Sequence, residues 1–156
     1  MRIYWINELN NFNVGMMSRP RGNDWLEDEI AELTRYNVTT IVSLLEYEEI
    51  YDLELEKEAF YCKINNIEYI NFPIKDRGLP DKISFLELVH NLDKKLKNKE
   101  KIVIHCRMGI GRTSMLVAAL LLKRCFEKDT IFDFLSEKRT LRVPDTQEQI
   151  DWIYNL

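Results

Sequence analysis

Apolar positions recur along the chain in two rhythms, and the changes between them mark its elements. Arg2 to Ile6 and Val14 to Met17 are short apolar runs separated by a turn rich in asparagine (Asn10, Asn11, Asn13), which predicts two opening strands at a sheet edge. After SRPRGND (18–24), Leu26, Ile30 and Leu33 share one helical stripe. Asp24 and Glu27 stand at capping spacing there, and Asn37 reads as a left-handed stop. Val38 to Leu45 is β-branched and almost continuously apolar, the pattern of a strand covered on both faces. A charged helical stretch then leads to Asn65, and Ile67 to Ile74 predicts another strand, closed by KDRGLPD (75–81) with Gly78 and Pro80 as turn formers.

Ser84 and Glu87 have capping-box spacing, with Ile83 and Leu88 as its staple, and Phe85, Val89, Leu92 and Leu96 continue a helical stripe. Ile102 to Ile104 is a short apolar strand, followed at once by HCRMGIGRT (105–113) and a helix from Arg112 to Cys125. Shorter helices over Asp129–Arg139 and from Thr146 onward complete the set. Strands alternating with helices predict an α/β fold: one domain over residues 1–156, with a mostly parallel central sheet flanked by helices on both faces. Ligands of such sheets bind beyond the carboxyl ends of the strands, which is where Cys106 falls.

Composition narrows the classes. A net charge of −4 without a sustained run of Lys or Arg argues against an extended nucleic-acid surface or a grip on anionic membranes. The longest apolar run, Met115 to Leu122, is well short of the ~20 residues of a spanning helix, and MRIYWINELN has no apolar signal-peptide core, so the expected location is cytoplasmic. Cys62, Cys106 and Cys125 show no CxxC spacing, and His90 and His105 are too few for a metal centre. No GxxxxGK[ST] loop is present.

HCRMGIGRT puts a thiol at the end of a buried strand and an arginine six residues on, at the opening of a helix. Its glycines let Arg107, Met108, Gly109, Ile110 and Gly111 curl so that successive amides point inward, an anion nest at a helix N-terminus. Those dipoles and the Arg112 guanidinium favour the thiolate of Cys106 as a nucleophile. The planar fork of Arg112 suits two phosphoryl oxygens and can follow them as the transition state flattens, which a lysine cannot do. Thr113 is placed to donate to the sulfur, and His105 to brace the loop rather than act as a base. Plain packing is the rival account, since a buried cysteine is usually only a small hydrophobe. The nonapeptide meets more independent requirements than packing imposes.

This HCxxGxxRT core resembles the signature of the cysteine-dependent protein tyrosine phosphatase superfamily, and the length of the chain and position of the motif resemble its compact dual-specificity branch. The likeness extends over SRPRG, the VSLL strand, FPIKDRGLP, the signature and the final segment with TQEQ. It implies a dual-specificity phosphatase-like fold with Cys106, Arg112 and Asp76 as the catalytic set, Asp76 matching the family's acid-loop aspartate. Phosphoryl transfer to sulfur needs such an acid for the departing oxygen. Asp81 is the alternative acid. Arg19, Arg21, Arg77 and Arg107 read either as a basic rim that attracts substrate or as ordinary solvated surface. Gln149 resembles the glutamine that some members use to orient water, but Thr146 and Gln149 also make a capping box. Cys62 and Cys125 read as core residues and His90 as part of a polar helix face.

The resemblance implies two-step phosphomonoester hydrolysis through a phosphocysteine, with no metal or organic cofactor, by a monomer acting on a phosphorylated protein or peptide away from membranes. Phosphotyrosine is the expected substrate, with phosphoserine and phosphothreonine beside it because the short chain has few insertions to build a deep pocket wall. A phosphoinositide, inositol phosphate or RNA 5′-phosphate is an alternative that Arg107 keeps open, although Met108 to Gly111 lack the lysines that lipid phosphatases often carry there. A non-catalytic phosphoresidue-binding module typically lacks the nucleophile, the arginine or the acid, and this chain has all three. A thiol-redox reaction would need a resolving cysteine close to Cys106, and none is near in sequence.

Overall fold

Strands Tyr4–Ile6 (β1), Asn13–Ser18 (β2), Thr40–Ser43 (β3), Glu68–Asn71 (β4) and Lys101–Cys106 (β5) form one sheet in the order β1-β2-β5-β3-β4. All of residues 1–156 are described by this computed structural model. Only the β1–β2 hairpin is antiparallel. The helices are Leu26–Leu33 (α1), Tyr47–Asp52 (α2), Glu58–Ile64 (α3), Lys82–Lys97 (α4), Gly111–Lys123 (α5), Ile131–Arg139 (α6) and Gln147–Tyr154 (α7).

The side-chain period of two sorts the sheet into layers. Met17, Ile41 and Val103 pack with Leu26, Ile30 and Leu33 of α1, Ile50 of α2 and Cys62 of α3. Val14, Met16, Val42, Ile102 and Ile104 pack instead with α4 to α7, where α5 is buried along nearly its whole length. Chain direction explains the split. From β2 through β3 to β4 the chain steps one way across the sheet with α1 to α3 on one face; from β4 it steps back to β5, and a right-handed crossover then requires α4 on the other face. The reversal sets β5 between β2 and β3, with its carboxyl end at a crevice.

The α/β architecture agrees with the sequence pattern, but several local features differ. Asp81, not Ser84, caps α4: the Ser84 amide and hydroxyl both donate to its carboxylate, at 3.0 and 2.8 Å. Ile83 is 73% exposed, so the expected staple with Leu88 does not form. A 3-10 turn over Asn23–Trp25 precedes α1, and neither Asp24 nor Glu27 caps it. The expected strand over 67–74 narrows to β4 because the chain turns away after Asn71, whose side-chain amide donates to the Ser43 and Leu45 carbonyls. The helical stretch before Asn65 divides into α2 and α3, and Glu54 between them is left-handed at φ 57°. Asn37 does stop its helix in the left-handed region, His90 is exposed, and Thr146 and Gln149 cap α7. Cys125, expected in the core, is exposed because it lies past the end of α5 in a left-handed turn. No helix is long and apolar enough to cross a membrane.

Phe85 joins α4 to the rest of the larger core, its ring 5.1 Å from Trp152 of α7 and 6.3 Å from Phe72. Phe85→Ala is expected to lower unfolding free energy by ~3–5 kcal/mol, read from urea denaturation midpoints, because this fully buried site has rigid neighbours on two sides.

Candidate active site

Strand alternation sends Cys106 and His105 to opposite layers: Cys106 toward the α4–α7 side, and His105 toward the side of α3. Cys106 is 3% exposed, and the Thr113 hydroxyl, from the first turn of α5, donates to its sulfur at 3.1 Å. Between β5 and α5 lie only Arg107 to Ile110. Three successive carbonyls of this loop turn outward. The Arg19 amide donates to Arg107 at 3.2 Å, the Ser18 hydroxyl to Met108 at 3.1 Å, and the Arg139 guanidinium to Met108 and Gly109 at 2.7 and 3.1 Å. In a trans peptide the N–H points opposite its carbonyl, so the amides of Met108, Gly109 and Ile110 face the other way. None of the amides of Arg107 to Ile110 donates to a backbone acceptor. Arg107, Met108 and Ile110 border a cavity of about 200 Å³ lined also by Asp76, Arg77, Cys106, Gly111, Arg112 and Asp145.

Gly109 is required by a backbone contact, whereas the atom crowding Gly111 is the end of an exposed side chain. Gly109, at φ 70°, backs onto the Met17 carbonyl, and a Cβ there would overlap it. A Cβ on Gly111 would collide with the Asp145 carboxylate.

Arg112 is 1% exposed and enters the cavity from beneath. Glu49 of α2 grips it with both carboxylate oxygens, at 2.7 Å to Nη1 and 2.9 Å to Nη2. Nη1 also donates to the Ile74 and Leu44 carbonyls at 2.9 and 3.4 Å, and Nη2 to Asp76 at 3.2 Å. Nε has no protein acceptor, and on the Nε–Nη2 edge Asp76 is the one partner an anion would have to displace. Burial works against the charged guanidinium, but the Glu49 hydrogen bonds and the negative charges of Cys106, Glu49 and Asp76 prevail and hold it above its ordinary value. Glu49 responds in the opposite sense: burial opposes its charge, yet Arg112 and the Glu46 amide hold its carboxyl below the usual range.

On the far side of the sheet, His105 Nε2 lies 2.7 Å from the Glu58 carboxylate, both side chains fully buried, while Nδ1 faces the Cys106 carbonyl at 3.2 Å. Cys62, a turn along α3 from Glu58, is pushed up to about 12 by burial and then by the Glu58 charge. It is an inert core thiol in the opposite layer from Cys106.

The remaining candidates divide. Asp76, its side chain 54% exposed, reaches the cavity with Arg77 and Arg107. Asp81 is spent as the cap of α4, the Ser84 amide and hydroxyl holding its carboxyl below the usual range, and it does not line the cavity. Gln149 is fully buried: its side chain accepts from the Asp145 and Thr146 amides and donates to the Gly78 carbonyl, and its Oε1 lies beside Gly111 at the cavity wall. Arg21 pairs with Glu29 and stacks 4.2 Å above Trp25, and the Arg19 guanidinium donates to the Pro20 carbonyl. Both line a separate hollow beside Arg2 and Tyr4 rather than the cavity itself. Sequence reasoning missed Glu49, Glu58, Arg139 and Asp145, which reach the site across the fold and stand in no motif, and gave Ser18, at the head of SRPRG, no role.

Glu49 carries a pH consequence. Its folded-state value is depressed, so its stabilising contribution is present above the ordinary value near 4.5 and is lost as pH falls through the lower folded value. Glu49→Gln is expected to cost about 2 kcal/mol at pH 7 and to flatten the decline in stability below pH 4.5, measured by urea unfolding across that range.

Comparison with known proteins fits this geometry. Residues 14–125 match the family described as polymorphic toxin system, DSP-PTPase phosphatase. The protein named tyrosine phosphatase 197R of Invertebrate iridescent virus 6 is 31% identical over 141 residues, covering 84% of this chain and 52% of that protein. Human cyclin-dependent kinase inhibitor 3 is 36% identical over 87 residues, covering 53% of this chain and 40% of that protein. The chain thus spans about half or less of the length of these relatives. Among solved structures, kinase associated phosphatase with its catalytic cysteine replaced by serine superposes with a TM-score of 0.87 at 22% identity, over 99% of this chain and 93% of that one. A protein tyrosine phosphatase from Leishmania major gives 0.80 at 22% identity, over 100% and 99%. At that identity the two structures speak for the fold, while the match over residues 14–125 decides the family. The chain belongs to the compact dual-specificity type of the cysteine-dependent protein tyrosine phosphatase superfamily.

Proposed function

We propose that the chain hydrolyses phosphotyrosine, and with it phosphoserine and phosphothreonine, on a protein or peptide through a phosphocysteine intermediate. The observation that carries this reading is the sulfur of Cys106 at the base of a cavity bordered by amides without backbone acceptors and by the Nε–Nη2 edge of Arg112. Sγ attacks phosphorus, forming the S–P bond as the ester P–O bond breaks and its electron pair passes to the departing oxygen. The loop amides and Arg112 hold the three equatorial oxygens, where charge is spread in the transition state.

Arg112 also keeps Asp76 at hand. An arriving phosphate competes for the same Nη2 proton that Asp76 holds at 3.2 Å; the displaced carboxylate, now facing the phosphate dianion, takes up a proton from solvent and delivers it to the leaving oxygen. Water then attacks phosphorus opposite the sulfur, its proton passing to the Asp76 carboxylate, and the S–P bond breaks with its electron pair returning to Sγ as thiolate. Every role in this scheme is filled by a side chain or an amide of the chain, and none calls on a metal or an organic cofactor. A free thiol nucleophile suits a reducing cytoplasmic compartment.

Hydrolysis of an aryl phosphate is expected to be insensitive to chelator and blocked by vanadate. Cys106→Ser should abolish it while leaving phosphopeptide binding intact; binding without turnover by the wild-type chain would make it a recognition module. A side-by-side panel of phosphotyrosine peptides, phosphoserine peptides, phosphoinositides and 5′-phosphorylated RNA tests the substrate class, with preference for either of the last two overturning it.

Asp76→Ala should slow phosphopeptides with poor leaving groups by roughly 10²-fold and activated aryl esters far less, since only the former need the proton. Steady-state kinetics on both substrate types check this, and equal losses would remove Asp76 as the acid.

A further inference from the structure

Glu58 and His105 are fully buried and line no part of the cavity. Buried polar atoms are almost always hydrogen-bonded, yet Glu58 Oε2 has no partner, and Oε1 has only His105 Nε2 at 2.7 Å. No lysine or arginine pairs with this carboxylate. Its titratable neighbours are Cys62 on the same helix and Tyr69 of β4; burial first, and the Glu58 charge second, push both up, so both stay protonated and neutral. His105 is the one group that answers Glu58. Proton counting then fixes the ring. Nε2 faces a carboxylate oxygen and Nδ1 faces the Cys106 carbonyl at 3.2 Å, an acceptor on each side. A bare ring nitrogen at either contact would set lone pair against lone pair, so one proton sits on Nδ1 and another lies between Nε2 and Oε1. The Cys106 carbonyl is thereby held on the α3 side of the sheet. Across the same trans peptide the Arg107 amide points the other way, to the side of Cys106 Sγ. Ser18, Arg19 and Arg139 grip the carbonyls of Arg107 to Gly109 and so turn the three later amides; none of them touches the carbonyl before Arg107.

We propose that Glu58 is a positioning residue of the anion site: by holding His105 with its Nδ1 protonated, it pins the Cys106 carbonyl and turns the Arg107 amide toward a bound phosphoryl group. This deepens the phosphatase reading above and rests on it for the identity of the anion. Glu58 touches no substrate and passes no proton to it. Its effect runs through one ring and one peptide plane. Without the carboxylate, the single proton of a neutral ring is free to settle on Nε2, which leaves the lone pair of Nδ1 against the Cys106 carbonyl and drives the two apart. The first amide of the loop then loses its fixed direction, while the other three keep theirs. The bare Oε2 fits the same role, because a carboxylate with a second donor would lean less on His105.

The test is heteronuclear NMR on the full chain as wild type, Glu58→Gln and Glu58→Leu, titrated with inorganic phosphate, with aryl phosphate kinetics on the same samples. The chain has two histidines and His90 is exposed, so the ring signals of His105 are readily told apart. In the wild type near neutral pH, Nδ1 of His105 is expected to carry a proton, and the Arg107 amide to shift as phosphate binds. Glu58→Leu should lose that Arg107 response, bind phosphate about 10-fold more weakly and lower kcat about 10-fold, less than the loss of a whole anion donor. Glu58→Gln should restore both to within about threefold, because its side-chain amide can donate to Nε2 and leave the proton on Nδ1. A wild-type Nδ1 without a proton overturns the assignment whether or not either variant folds. So does a folded Glu58→Leu chain that binds phosphate as the wild type does, or a Glu58→Gln chain no better than Glu58→Leu. A wild type that binds phosphate at the Arg107 amide but never turns over an aryl phosphate overturns the phosphatase reading instead, which keeps the two failures distinct.

Discussion

A peptide plane cannot present its carbonyl and its amide to the same side, and the anion site is built on that constraint. Four donors outside the loop, from Ser18, from the Arg19 amide and twice from Arg139, take three successive carbonyls. With the carbonyls held outside, the amides have nowhere to point but into the cavity. Arg139 is itself buried and lies over the Tyr4 ring at 4.3 Å, so the pin that turns the loop is anchored in the β1–β2 hairpin and in α6 together. The hairpin at the sheet edge therefore contributes to the site without lining it.

Arg112 poses a second problem, that of a charge taken almost entirely out of water. An unpaired buried guanidinium would be costly, and the fold surrounds it with Glu49, the Leu44 and Ile74 carbonyls, and Asp76. These acceptors come from segments that follow β3 and β4, the strands on one side of β5, so the parallel sheet gathers at its carboxyl edge what the chain scatters. Enough partners are present to keep the arginine charged and fixed, and on one edge Asp76 is the one partner that can be exchanged. The Glu58–His105 pair on the opposite face acts similarly at one remove, holding the imidazole that faces the Cys106 carbonyl.

What was legible in the sequence, and what was not, follows from the range of the forces involved. The alternation of Ile102, Val103 and Ile104, the stripe of α4 and the glycine-bearing turn after Cys106 are local patterns, and each element appears near its expected place. Cys106, Arg112 and Thr113 share one loop and one helical turn, so their meeting needs no knowledge of the rest of the fold. Glu49 lies 63 residues from Arg112 and Glu58 lies 47 residues from His105; one carboxylate among many in a charged stretch carries no mark of the partner it will find. Asp81 took the capping role expected of Ser84 because capping depends on where the first turn starts, here three residues earlier, which side-chain type alone does not decide. Gln149 had two readings with the same residue pattern, and the capping box is the one seen to form.

The two carboxylates at the cavity show how one arginine can order events there. While the cavity lacks an anion, Asp76 is an acceptor for Arg112 and helps balance a buried charge. In the reaction proposed above, an incoming phosphate is a stronger and better-shaped acceptor for the same guanidinium edge, so its binding and the release of Asp76 would be one exchange of partners rather than two motions. Glu49 does not take part in that exchange, because its two oxygens hold both Nη atoms from the side away from the cavity. The division between a permanent partner and an exchangeable one lets Arg112 stay in place through substrate binding, and a group that stays in place loses little free energy to reorganisation when charge moves onto the phosphoryl oxygens.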